Sequence, residues 1–229
     1  MTGLSIRDGS PGGGPAPAAN LPFNRSVMAF LDRTEYRRCE DSEDVEAVLR
    51  FRYNAYRSQA RVTELATGKV TDRLDHTPNC QLFAIYLDGR MVSTLRLHHS
   101  SAALPDGPAM NVFPDIVGPM LERGESYVQP SQFTADPEAV AGAIAIPYLT
   151  MRLTALATVH HGATGCAGII RREHSSFYHR LFEAEQVGDA RPFPPFTDMV
   201  MLYMANSAAS LERVLDRFSF LRSTSAERR

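Results

Sequence analysis

Apolar residues recur at two different periods along the chain, and the alternation between them outlines the elements. Near the start, EYRRC reads as a short strand, and Asp41, Glu43 and Asp44 follow as acids where a helix N-terminus favours them. Val45, Leu49, Arg52, Tyr53 and Tyr56 then fall on one face at spacings of three and four, which predicts an amphipathic helix. QLFAIYL and MVSTLRL are β-rich runs joined by Asp88-Gly89, a strong two-residue hairpin signal. A long, proline-interrupted loop carrying Asn111-Val112-Phe113-Pro114 is expected next, before SYVQPSQFTA reads as a strand. Pro130 in that strand cannot donate to a ladder, so it implies a bulge or an edge position.

The second half opens with a helical run expected from Pro137 to His161 and closed by Gly162. GCAGII reads as a buried strand, HSSFYHRLFEAE as a helix and MVMLYMA as a final strand. Leu211, Val214, Leu215, Phe218 and Leu221 predict a short amphipathic surface helix that frays into RSTSAERR. The first stretch, rich in Gly, Pro and small residues, has no period and reads as a mobile tail. These boundaries give a tail over 1–25, a folded domain over 26–206 and a C-terminal helix and tail over 207–229. No repeat of fixed period is visible, so solenoids and propellers are excluded.

Composition narrows the function classes. With 229 residues, 44% of them hydrophobic, the chain fills one sizeable core rather than two. Its 24 basic and 26 acidic residues leave a formal charge of −2, which offers no global field for nucleic acid or an anionic membrane. No run reaches the ~18 apolar residues of a membrane span. Three widely spaced cysteines, with no CxxC pair and no leading signal peptide, suit reduced thiols in the cytoplasm. No set of His, Cys and acidic residues has metal-ligand spacing, so no metal is expected.

Five short motifs in order carry a family resemblance. The run LRFRYNAY at 49–56 resembles the first-helix motif of the bacterial N-acyl amino acid synthases and, more remotely, of acyl-homoserine lactone synthases. Asp72-Arg73-Leu74-Asp75 is similar to their paired acids, the hairpin ends on Arg96, and Asn111 to Pro114 resembles a short aromatic-containing loop. Gln129-Pro130-Ser131-Gln132-Phe133 stands where those families show ExSRF, and His174-Ser175-Ser176-Phe177-Tyr178 resembles a helix start carrying H..FY. Together these motifs cover about residues 36 to 205. The chain departs at two points: an acid and an arginine of the fourth motif are both glutamine here, Gln129 and Gln132.

The resemblance implies a GNAT-type α/β fold, a mostly antiparallel twisted sheet flanked by helices, whose order of elements matches β-α-β-β-β-α-β-α-β. It implies an N-acyltransferase that moves a long-chain fatty acyl group from a phosphopantetheine thioester to the amine of an amino acid, with no bound cofactor. The alternatives are an acyl-homoserine lactone synthase, against which stands the absence of any tryptophan, and a non-catalytic protein that binds acyl chain or carrier.

The resemblance also implies roles for an amide-forming reaction, which needs a neutral amine, oxyanion donors and a proton for the leaving thiolate. Tyr178 is the candidate proton donor, or else a core aromatic. Gln129 occupies the place of the family's acid, and His98 could replace that acid as base, although alternation sends His98 and His99 to opposite faces. Arg52, Asp72, Asp75 and Arg96 are expected to shape the amine side of the site or to form a structural ion network, with Ser131, Gln132, Phe133 and Phe113 also meeting substrate. ADPEAVAGAIAIPYL, with one glycine and the acids Asp136 and Glu138, lacks the loop that holds coenzyme A pyrophosphate. That favours acyl carrier protein as donor over acyl-CoA. Arg171, Arg172 and Arg180 are candidate docking residues for that acidic partner, or a solvated basic face. Nine methionines and twelve phenylalanines could line an acyl tunnel, among them Met110, Met120, Met151, Met199, Met201 and Met204, although core packing explains them equally. Apolar positions on the last strand and helix could pair two copies as a homodimer or cover the core edge.

Overall fold

The computed structural model describes residues 21–59, 62, 64–193 and 199–228. A single sheet organises them. β1 (Thr34–Arg38), β2 (Cys80–Leu87), β3 (Arg90–Ser100), β4 (Tyr127–Ala135), β5 (Gly165–Ile170), β6 (Glu185–Pro192) and β7 (Met199–Asn206) lie in the order β1-β2-β3-β4-β5-β7-β6. Every neighbouring pair is antiparallel except β4 with β5. The β2–β3 turn places Asp88 at φ 52° and Gly89 at φ 77°, the left-handed pair of a type I′ hairpin.

Helices cover both faces. α1 (Leu21–Leu31), α6 (Ile146–His161), α7 (Ser175–Phe182) and α8 (Ser207–Arg217) surround one core, in which Leu95, Leu97, Val128, Leu149 and Met151 are buried. α2 (Ser42–Ser58), α3 (Pro108–Val112) and α4 (Pro114–Glu122) take the other face. There Phe113, Val117, Ala167 and Leu202 form a second core. α2 starts where its acids placed it: the Asp41 carboxylate accepts from Asp44 N at 2.8 Å.

Five expectations need correction. Residues 21–25, read as tail, form the first turns of α1, and Val27 in that helix is fully buried; the rest of the tail lies outside the described residues. The loop around Asn111 to Pro114 is two short helices, each opened by a proline at its first position, where the missing N–H costs nothing. The run from Pro137 to His161 is two helices, α5 (Pro137–Gly142) and α6, because Pro147 must sit in a first turn. Residues Glu183 to Glu185 leave the helix through a left-handed Glu183, and β6 follows. The C-terminal segment is no fraying surface element: Phe218, Phe220 and Leu221 are at most 2% exposed. The buried Arg152 guanidinium donates to the carbonyls of Phe220 and Arg222 and to Glu227, which clamps the chain end to α6.

What positions the site is the parting of β4 from β5. Their pairing is limited to Tyr127 with Gly165 and Val128 with Cys166, after which the strands diverge. At this crotch Gly165 also pairs with Asn206 of β7, and a Cβ there would stand 1.9 Å from the Ala205 carbonyl oxygen. Only glycine permits the strands to meet so closely. A second irregularity lies between the partners Thr94–Thr134 and Arg96–Ser131, where Gln132 has φ 49°. The bulge expected from Pro130 therefore falls two residues later.

Candidate active site

The gap between β4 and β5 is a cavity of about 790 Å³. All six residues from Pro130 to Ala135 border it, as the edge of a strand does and a single face does not. Val140, Ala141 and Pro147 close one side, Ile169, Ile170 and Val200 another, and Phe177 with Tyr178 a third. These walls are apolar. Polar groups gather where Tyr56, Arg96, Ser131 and Gln132 meet the cavity, and again at Arg171 and His174.

Behind the first polar end lies a buried ion network. Arg52 Nη1 donates to Asp75 Oδ1 at 2.8 Å, and Arg96 Nη1 donates to Asp75 Oδ1 at 3.0 Å and Asp72 Oδ1 at 2.6 Å. Arg96 Nε donates to Ser131 Oγ at 2.9 Å. Asp72 also caps its own turn through Leu74 N, and Asp75 Oδ2 accepts from Asp72 N and Thr71 Oγ1. Burial alone would raise the Asp75 carboxyl, but Arg52 and then Arg96 outweigh it and hold the group down to about 2. Gln132 joins this network to the cavity wall: Tyr56 OH donates to its Oε1 at 2.7 Å, and its Nε2 reaches Asp72 Oδ2 at 3.4 Å. Tyr56 belonged to the expected helix face, four residues after Arg52, but sequence reasoning left it out of the site.

Tyr178 borders the cavity, and no hydrogen bond to its hydroxyl is found among the described residues. Burial first, then the nearby Cys166 thiol and Tyr56 phenol, push it up to about 12, so it keeps its proton at neutral pH. Ser131, Gln132, Phe133 and Arg96 reach the cavity as expected.

Arg52, Asp72 and Asp75 stand behind the cavity wall rather than in the lining, and three further expected site residues do not reach the cavity either. Gln129 is fully buried; its Oε1 accepts from Ala109 N at 2.8 Å and its Nε2 donates to Ser100 Oγ at 2.8 Å. The Ser100 proton is already spent on the Asp106 carbonyl, so position 129 must supply a donor there, which an ionised glutamate lacks. Gly107 lies against the same amide, with room for no Cβ: one would stand 2.6 Å from Oε1. Gln129→Glu is therefore expected to lower stability by about 1–3 kcal/mol without raising turnover, as urea unfolding and an acyl-transfer assay would show.

His98 is also fully buried, and its Nε2 faces the Leu74 carbonyl at 3.0 Å and Thr77 Oγ1 at 3.1 Å. Because Thr77 donates to the same carbonyl, the His98 proton sits on Nε2. Burial first, then Arg96, lowers the ring to about 4. A ring held neutral here while it protonates near 6.5 when unfolded stabilises the fold fully above that pH and loses the contribution as pH falls. Stability is expected to drop by about 2 kcal/mol between pH 6.5 and 5, above the range where exposed carboxylates titrate. His161, stacked on His99 at 4.1 Å and also held down to about 4, adds in the same direction. Urea midpoints across that window check this, with a flat profile counting against it.

Phe113, the third, is fully buried in the second core under Arg191, whose guanidinium lies 4.6 Å from its ring. Of the methionines named as tunnel candidates, Met110, Met120, Met151 and Met204 pack in the cores and Met201 is buried, none of them along the cavity, and Met199 is half exposed. Of the three arginines expected to dock a carrier, Arg171 borders the cavity and pairs with Glu173, Arg172 is exposed, and Arg180 is engaged with the Tyr148 hydroxyl.

A sequence profile described as N-acyl amino acid synthase FeeM matches residues 47–206, which hold the cavity, the ion network and Tyr178. The chain belongs to the FeeM family of N-acyl amino acid synthases. It is thus an N-acyltransferase. No curated protein matches it by sequence. The structure of FeeM from uncultured soil microbes superposes with a TM-score of 0.63 at 13% identity, over 81% of this chain and 97% of that one. TofI in a ternary complex with an inhibitor and MTA gives 0.60 at 16% identity, over 83% and 100%. BjaI, a CoA-dependent acyl-homoserine lactone synthase solved with SAM and isopentyl-CoA, gives 0.55 at 15%, over 78% and 83%. At these identities the likeness establishes a shared fold, that of the acyl-CoA N-acyltransferases. Of the two glutamines at which the sequence departs from the motif it resembles, Gln129 has a structural task.

Proposed function

We propose that this FeeM-family enzyme transfers a long-chain fatty acyl group from the phosphopantetheine thioester of an acyl carrier protein to the α-amine of an amino acid in the cytoplasm. The observation that carries the reading is the cavity between the parted strands: apolar along its length, polar where Arg96, Ser131 and Gln132 enter, and bordered by a protonated Tyr178. The amine nitrogen attacks the thioester carbonyl, the C–S bond breaks with its electron pair on sulfur, the Tyr178 hydroxyl supplies the proton that makes the free thiol, and the proton shed by nitrogen returns through solvent to the Tyr178 oxygen. Backbone amides on the β4 edge beyond Val128 have no β5 partner and are available to the oxyanion.

Acyl carrier protein is favoured over coenzyme A by the start of α5. The Asp136 carboxylate accepts from Glu138 N and pairs with Arg90, so a carboxylate occupies the place where a pyrophosphate would seek free amides. Arg171 beside the cavity and exposed Arg172 suit an acidic carrier. Mass spectrometry of lipids from bacteria overproducing the chain tests the reading. A new N-acyl amino acid supports it and names both substrates, an acyl-homoserine lactone reassigns the amine, and no new lipid from folded protein refutes it.

A further inference from the structure

An ammonium substrate must lose one proton before it can attack and a second as the amide forms; Gln129, an amide, is no base and is committed to Ala109 and Ser100, and His98, the base candidate read from the sequence, is committed to the Leu74 carbonyl. Among the polar groups on the cavity wall, Arg96 is a permanent cation and Tyr56 donates to Gln132. His174 Nε2 lies 2.6 Å from Arg171, which can only donate, so its lone pair is taken.

Asp72 does not line the cavity but stands behind Gln132, and it differs from all of these. Its Oδ1 is saturated by Arg96 at 2.6 Å and Leu74 N at 2.8 Å, whereas Oδ2 has, among the described residues, a single long contact, 3.4 Å to Gln132 Nε2. Its side chain is 38% exposed beside an Asp75 that is 1% exposed. Asp75 neutralises the two arginines together with Asp72 Oδ1, and Oδ2 points at Gln132, which lines the cavity beside Arg96 and Ser131.

We infer that Asp72 Oδ2 receives the ammonium group of the acceptor and takes the proton that frees its lone pair before the C–N bond forms, with Gln132 as the displaceable neutral group that covers this oxygen in the resting enzyme. The inference rests on the N-acyltransfer reading and deepens it. In the step, Asp72 Oδ2 takes one proton from the ammonium and releases it to solvent, the freed lone pair of nitrogen attacks the carbonyl carbon, sulfur leaves with the C–S electron pair and takes the Tyr178 proton, and the second proton shed by nitrogen returns through solvent to the Tyr178 oxygen. A neutral residue at 132 is part of the device, because a cation there would close Oδ2 with an ion pair. The charged and titratable groups packed around Asp72 are Arg52 of α2, Cys80 of β2, Arg96 and His98 of β3, and Asp75 of its own turn.

The test uses purified full-length enzyme, a thioester donor and two acceptors: an amino acid, protonated at pH 7, and hydroxylamine, which arrives neutral. Asp72→Asn keeps an oxygen for Arg96 and Leu74 N. It is expected to lose about 10²–10⁴-fold in kcat/KM with the amino acid, to lose far less with hydroxylamine, and to recover as pH rises toward the pKa of the amine. Gln132→Arg is expected to show the same selective loss without a fall in Tm. Equal losses with both acceptors, or none, in folded Asp72→Asn would overturn the assignment. If that variant does not fold, undiminished transfer to the amino acid by Gln132→Arg overturns it. A wild-type enzyme that acylates neither acceptor refutes the proposed function instead.

Discussion

Replacing Asp75 by asparagine is expected to cost about 3–5 kcal/mol of stability, the largest loss from any single change in the ion network. The carboxylate is 1% exposed and serves two guanidiniums, Arg52 at 0% and Arg96 at 1% exposure. Asparagine keeps the shape but removes the charge, leaving Arg96 to Asp72 alone and Arg52 with no counter-ion among the described residues. Arg52 already has Nε and Nη2 buried without a protein partner, so it has nothing in reserve. Urea unfolding near pH 7 measures the effect, and a loss under about 1 kcal/mol would show that the network carries far less than its burial implies. The same group sets an acid limit. Because it protonates near 2 when folded and near 3.8 when not, its contribution is complete above pH 3.8 and disappears as the pH falls toward 2.

Tyr178→Phe is expected to behave in the opposite way, losing about 10²–10⁴-fold in turnover while the unfolding midpoint stays in place. The hydroxyl has no hydrogen-bond partner among the described residues, and the ring alone packs against Phe177 at 5.2 Å between centroids. Removing the oxygen therefore breaks no structural bond. In the proposed reaction it removes the proton for the departing thiolate, a phenol held at about 12 and so never spent at neutral pH. Single-turnover release of thiol, followed beside a thermal melt, separates the two effects. Equal thiol release by the variant would make Tyr178 a cavity wall and nothing more.

The fold was legible where one period dominated. The helix face from Val45 to Tyr56, the Asp88-Gly89 hairpin and the strands on either side of the cavity all follow from apolar spacing and turn chemistry. β6 escaped because EQVGDARP has no alternation to read: it is an edge strand, mostly exposed, with two register shifts against β7. α3 and α4 escaped because prolines that usually break helices here open them, with Pro119 inside the second. At the site, the motifs brought Arg52, Asp72, Asp75, Arg96, Ser131 and Gln132 to one place, as the hydrogen bonds among them show. They misplaced Gln129 and Phe113. A position in a motif says which strand a residue sits on, but whether its side chain meets a cavity or another backbone depends on segments tens of residues away. For Gln129 those are Ser100 and Ala109; for Phe113 they are Gly188 and Leu202 across the second core.

The central claim is that the cavity between β4 and β5 carries a fatty acyl thioester to an amine. Reconstitution tests it most directly: purified enzyme, palmitoyl acyl carrier protein or palmitoyl-CoA in parallel, a mixture of amino acids, and mass spectrometry of the products. The account predicts N-palmitoyl amino acid formed together with free carrier thiol, faster from the carrier than from the CoA ester. Thiol release without an amide, or no release from either donor, would contradict it.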